Sequence, residues 1–188
     1  MHSLFFHIMT NMKTLTAITI ICVLGINNAL ARGTKICFEA ESAEKIETPM
    51  CLVSNDIENI SGAAISIPEG AGNPPERCEG SASYTIDVPT KGEYTLWCRV
   101  WWNGECSNSF MVRFNDAPPI LFGEDATYKV WHWVKYPISR TSPRINLDAG
   151  KLQLKLDNRE DGIMIDQIIL SSDKRFVPVD IEKTGTFK

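Results

Sequence analysis

Three acids placed where buried strands would normally carry none are the residues best able to do chemistry here. Glu39 and Glu41 lie in Cys37-Phe38-Glu39-Ala40-Glu41, and Asp166 lies in Gly162-Ile163-Met164-Ile165-Asp166-Gln167-Ile168-Ile169-Leu170. Both segments read as β-strands. Positions two apart in a strand share a face, so Glu39 and Glu41 can converge on one point. If the two strands pair, Asp166 joins them and three hard oxygen donors meet. That donor set suits Ca²⁺, which takes six to eight oxygens and would draw the rest from carbonyls or water. A buried Asp166 is costly without a partner; the other reading pairs it to an Arg or Lys. Same-face neighbours fit a metal better than a glycosidase pair, whose carboxylates flank the substrate.

Other chemistries are narrowed by what the chain lacks. Of its three histidines only His132 lies outside the first ten residues. A His-rich zinc site is excluded, and no G-x-S-x-G elbow accompanies His132. No C-x-x-C spacing suggests zinc. The net charge of −4 gives no basic face for nucleic acid.

The elements that must position the acids are strands. Residues 81–88, 93–101, 108–115, 130–138, 144–147, 151–156 and 162–170 carry short period-two patterns, and helical periodicity is nearly absent. Residues 144–147 and 151–156 read as a hairpin about Asp148-Ala149-Gly150. The turn Asn115-Asp116-Ala117-Pro118-Pro119 ends its strand. The expected fold is all-β, a jelly-roll β-sandwich of two antiparallel sheets. Residues 1–31 read as a signal peptide, with an apolar run 15–26 and a small-x-small end at Ala29-Leu30-Ala31. Residues 32–172 are expected to form one domain, large enough to bury about 70% of its unfolded-chain surface. Residues 173–188 read as a polar tail. Export permits disulfides. Cys98 reads as a small core residue; Cys51, Cys78 and Cys106 are better placed for a bridge, with no pairing fixed. A secreted monomer without membrane insertion is expected.

The order of motifs resembles the carbohydrate-binding modules of families 6 and 35, which share a galactose-binding-like jelly roll. The residues that carry the resemblance are Phe-Glu-Ala-Glu at 38–41, Gly92-Glu93-Tyr94, Leu-Trp-x-Arg-Val at 96–100 and Asn108-Ser109-Phe110. Trp131-x-Trp133, Leu147-Asp148-Ala149-Gly150 and Ile165-Asp166-Gln167-Ile168 follow. It implies a structural Ca²⁺ at Glu39, Glu41 and Asp166. It also implies carbohydrate, a polysaccharide or oligosaccharide, held among loops that carry aromatics and an Asn.

Sugars offer C–H faces that stack on aromatic rings and hydroxyls that bond to amides and charged groups. Trp102, read as the start of a loop, and Trp131, read at a strand start, are the expected platforms, with Trp133 on the same face as Trp131. Asn108, Asn158 and Arg159 are the expected hydrogen-bonding groups; Arg159 could take a uronate in bidentate fashion. Trp97 and Trp101 share the face opposite Leu96, Cys98 and Val100, and one of those faces must be core. The chain departs from the family pattern in having no Tyr or Trp between Phe38 and Tyr84. Two other classes stay open: a small jelly-roll lyase or glycosidase, and a protein-binding adhesin module without a sugar site.

Overall fold

The computed structural model describes residues 33–54, 58–72 and 79–188. The signal-peptide expectation and Cys78 lie outside the described residues. Among the described residues thirteen strands form, in chain order: β1 (Lys35–Glu39), β2 (Lys45–Glu47), β3 (Cys51–Val53), β4 (Ala64–Ile67), β5 (Ser81–Val88), β6 (Gly92–Trp102), β7 (Ser109–Phe114), β8 (Ile120–Gly123), β9 (His132–Tyr136), β10 (Ile145–Leu147), β11 (Gly150–Asp157), β12 (Ile163–Ser171) and β13 (Gly185–Phe187). A single 3-10 turn, Ala40–Ser42, follows β1. No α-helix occurs among the described residues, and none of their helices is long and apolar enough to cross a membrane.

Two antiparallel sheets face each other as a β-sandwich of the jelly-roll kind. The larger runs β10–β6–β12–β1–β13, with β9 also beside β6, and β4 carrying β3 onto β12. The smaller runs β2–β5–β11–β7–β8. Period-two alternation explains the core between them. Leu96, Cys98, Val100 and Trp102 of β6 point inward, as do Ala82, Tyr84, Ile86 and Val88 of β5 and Leu152, Leu154 and Leu156 of β11. Cys98 is core, as its strand pattern suggested.

The expected hairpin over 144–156 is not one. β10 pairs with β6 in the larger sheet, whereas β11 pairs with β5 and β7 in the smaller. Ile145 and Leu147 on one side and the β11 leucines on the other all bury in the same core. Crossing between sheets lets both strands do so.

The two acid-bearing segments do pair: β1 lies beside β12, with Glu39 opposite Gln167. On its other side β12 pairs with β6, where Ile165 faces Val100 and Gln167 faces Arg99, so Asp166 is an extra residue in a β-bulge. The bulge resets the alternation. Ile163 and Ile165 before it, and Ile168 and Leu170 after it, all enter the core.

Residues 173–188, read as a polar tail, pack back onto the domain. β13 adds to β1, with Lys35 opposite Phe187. The segment before it lies on the outer face of the larger sheet. There Trp97, Cys37 and Ile169 form a second apolar cluster, with Trp133 and Phe176 packed against it.

Candidate functional site

Glu39 ends β1, and Glu41 falls in the 3-10 turn, so the chain leaves the strand between them. The turn at 59–63 draws the acids together instead. Ser61 Oγ donates to Glu39 Oε1 (2.8 Å), Ala63 N to Glu41 Oε1 (3.1 Å) and Ser61 N to Asp166 Oδ1 (2.9 Å). Gly62 permits this approach: its φ is +98°, and a Cβ there would stand 2.9 Å from Glu41 Oε1.

Asp166 is fully buried and is held by Arg99, whose Nη1 donates to Oδ2 at 2.7 Å. The same nitrogen donates to the Asn59 carbonyl at 2.7 Å. This departs from the expected seat of three open carboxylates, because a guanidinium already neutralises Asp166. No group of three metal-ligating side chains has metal-holding geometry among the described residues. Glu39 Oε2 and Glu41 Oε2, however, are buried with no hydrogen-bond partner among the described residues. Burial pushes the Glu39 carboxyl above its usual range. Ser61 and Gln167 bond to it and pull the other way, while the charges of Glu41 and Asp166 push it further up. With no cation beside it, the stability this group contributes is present at acid pH and is lost as pH rises through the raised pKa.

A groove of about 800 Å³ opens on the outer face of the larger sheet, within the range of small-ligand sites, roughly 300–1,000 Å³. Trp101, Trp131, Arg99 and Met164 line it, between Glu58-Asn59, Lys129-Val130 and Asp180-Ile181. Strand parity puts Trp101 and Arg99 there, since Val100 and Trp102 between and beyond them point inward. The Arg99 guanidinium lies 5.3 Å from the centre of the Trp131 ring, a cation–π contact. Arg99 thus joins the buried acid to an aromatic wall.

The sequence-derived platforms divide. Trp131 lines the groove. Trp133 is packed under the C-terminal segment, its Nε1 donating to the Asp180 carbonyl at 2.8 Å. Trp102 corrects the expectation of a loop-mouth indole. It is the last residue of β6, 0% exposed, and packs on Phe110 and edge-on to His132, each at 6.2 Å.

Asn108, Asn158 and Arg159 gather at the loop end of the sandwich, and none of them lines the groove. Asn108 is buried, its Nδ2 donating to the Asp125 carbonyl (2.9 Å) and its backbone N to Glu160 (2.9 Å). Asn158 is buried and donates to the Ala71 carbonyl (2.8 Å), leaving Oδ1 without a partner. Arg159 bonds to Ser109 and Glu160 and faces Glu124 at 3.8 Å. These bonds tie loops to one another. Among the described residues no disulfide joins Cys37, Cys51, Cys98 or Cys106. Burial pushes the Cys37 thiol up to about 12.

Sequence reading passed over Arg99, Trp101, Asn59, Lys129 and Asp180. The parity of β6 puts the first two on one face, and only the choice of core face was missing. The others owe their places to loops and to the folded-back C-terminal segment.

No family profile matches the chain, and no curated protein sequence matches it. Solved structures do. The C-terminal family 6 module of a marine laminarinase from Zobellia galactanivorans matches at 19% identity and TM-score 0.53, over 73% of this chain and 99% of that one. A family 35 carbohydrate-binding module from Clostridium thermocellum matches at 16% identity and TM-score 0.51, over 72% of this chain and 96% of that one. An exo-β-1,3-galactanase from Phanerochaete chrysosporium matches at 18% identity and TM-score 0.53, over 72% of this chain. The chain spans only 29% of that enzyme's length. Over most of its length, then, this chain has the fold of the carbohydrate-binding modules of families 6 and 35.

Proposed function

We propose that the protein is a secreted, non-catalytic carbohydrate-binding module that holds a polysaccharide or oligosaccharide in the groove of the larger sheet. The observation that carries this reading is the pair of indoles, Trp101 and Trp131, lining one groove with the Arg99 guanidinium. Indole faces take sugar C–H faces, while Arg99, Asn59, Lys129 and the flanking acids offer hydrogen bonds to hydroxyls. The two modules that the chain covers almost end to end, of families 6 and 35, support binding without catalysis.

Binding of the purified chain to a glycan array, followed by calorimetry on the best hit, tests the reading. Trp101→Ala and Trp131→Ala are each expected to weaken binding at least tenfold, with the thermal midpoint of each within a few degrees of the parent. Full binding by both variants, or no binding to any neutral or acidic glycan, would sink it.

A Ca²⁺ ion is the fitting occupant beside Glu39 and Glu41, whose buried outer oxygens lack partners. Asp166, held by Arg99, would act as a neighbour rather than a ligand. Bound there, the ion would neutralise two carboxylates and tie β1 to the 59–63 turn. Ca²⁺ at a hundred times its Kd would add about 2.7 kcal/mol. For a domain of this size that is roughly 5–10 °C in the midpoint. Melting in Ca²⁺ and in EDTA reads it. In Glu39→Gln the gain should vanish, and in EDTA that variant should melt no lower than the parent, because it no longer buries a charge. Equal midpoints of the parent in Ca²⁺ and EDTA would exclude the ion.

A further inference from the structure

The C-terminal segment is fastened across the outer face of the larger sheet by bonds at several points. Gln167 and Glu182 exchange two hydrogen bonds: Glu182 N donates to Gln167 Oε1 (2.8 Å), and Gln167 Nε2 donates to the Glu182 carbonyl (2.9 Å). Lys35 pairs with the Glu182 carboxylate at 2.9 Å, and its ammonium lies over the rings of Phe176 and Phe187. Trp133 Nε1 holds the Asp180 carbonyl, and β13 extends the sheet beside β1. The strap so formed crosses the sheet beside the groove and presents Asp180 and Ile181 to it.

Three residues on three walls of the groove share an uncommon backbone. Asn59, Lys129 and Asp180 have φ of 61°, 58° and 50°, in the left-handed region that non-glycine residues seldom adopt. Such conformations persist where the surrounding structure fixes them, and they gather at ligand clamps. At Asp180 the fixing bond is made by the backbone carbonyl, so among the described residues nothing occupies the exposed carboxylate, which can accept bonds from a ligand. Beside it Ile181 is 45% exposed, and across the groove Val130 is 51% exposed.

We propose that the strap is part of the binding site. Asp180 accepts hydrogen bonds from sugar hydroxyls, Ile181 packs against the ring, and the wall they form limits the site to a short stretch of neutral oligosaccharide. This rests on the carbohydrate reading above. Neutrality follows from the lining. Arg99 and Lys129 are matched by Glu58 and Asp180, and Asp166 lies beneath Arg99. A uronate or sulfated sugar would meet no excess of positive charge. Charge-assisted bonds from paired hydroxyls to one carboxylate give Asp180 the geometry to select ring stereochemistry.

Calorimetry of the full chain with neutral β-linked gluco-, manno- and galacto-oligosaccharides of two to six residues tests this. Asp180→Gly removes the carboxylate yet suits the positive φ. It is expected to weaken binding at least tenfold with an unchanged circular dichroism spectrum, and Ile181→Ala about threefold. Affinity should stop rising beyond three or four sugar residues. If Trp101→Ala abolishes binding while Asp180→Gly binds within twofold of the parent, the strap inference falls and the groove reading stands. If the parent binds none of the panel but binds an acidic glycan, the strap inference falls and the groove reading stands; if it binds no neutral or acidic glycan, both fall.

Discussion

Arg99→Met is expected to lower the unfolding free energy by about 3–5 kcal/mol, the usual cost of leaving one partner of a buried ion pair unmatched. The Arg99 and Asp166 side chains are 7% and 0% exposed and meet at 2.7 Å. Without the guanidinium, Asp166 would keep only the Ser61 N–H, with Glu39 and Glu41 nearby. In a domain of this size the loss corresponds to roughly 6–20 °C in the thermal midpoint. The pair need not be stabilising in itself, since apolar replacements of similar volume are often neutral or better. Arg99→Met combined with Asp166→Leu should therefore recover most of the loss. Urea unfolding of the two single variants and the double variant closes the cycle. Arg99→Met within 1 kcal/mol of the parent would show that Asp166 is satisfied some other way.

Trp102→Ala is expected to cost about 3–5 kcal/mol through the cavity left in the core. Trp102 is fully enclosed, against Phe110 and His132, and its Nε1 lacks a partner. Trp102→Phe keeps most of the volume and removes the unpaired N–H, so it should cost much less. The informative measurement is glycan affinity of the folded Phe variant, expected within threefold of the parent. A tenfold loss of affinity at unchanged stability would return Trp102 to the role of platform. The contrast with Trp101 is a matter of one position in a strand: one indole faces the groove and the other faces the core.

Most of the sandwich was legible because it is written in period two. The reading of 81–88 has the bounds of β5, and 93–101 and 162–170 differ from β6 and β12 by one residue at each end. Pairing of the two acid segments was a supposition that the structure bears out. Short strands escaped. β2, β3, β4, β8 and β13 have three or four residues each, too few to display alternation. The site was harder. Whether Trp101 or Trp102 faces outward depends on which face of β6 is core, and local pattern left both open. The groove walls at Asn59, Lys129 and Asp180 come from three distant loops, and no local spacing brings them together. Likewise the claim of Arg99 on Asp166 spans 67 positions of sequence.

The bulge at Asp166 acts like a single inserted letter. Removing it from the text of β12 leaves Ile163, Ile165, Ile168 and Leu170 in unbroken alternation, matched one to one against Trp102, Val100, Cys98 and Leu96. The register between β12 and β6, then, runs on as though that residue were absent. What the added residue supplies is a buried negative charge under the outer face, which orients Arg99, which in turn lies over Trp131. Core and outer-face groove are in this sense separately spelled, and the junction between them is one amino acid long.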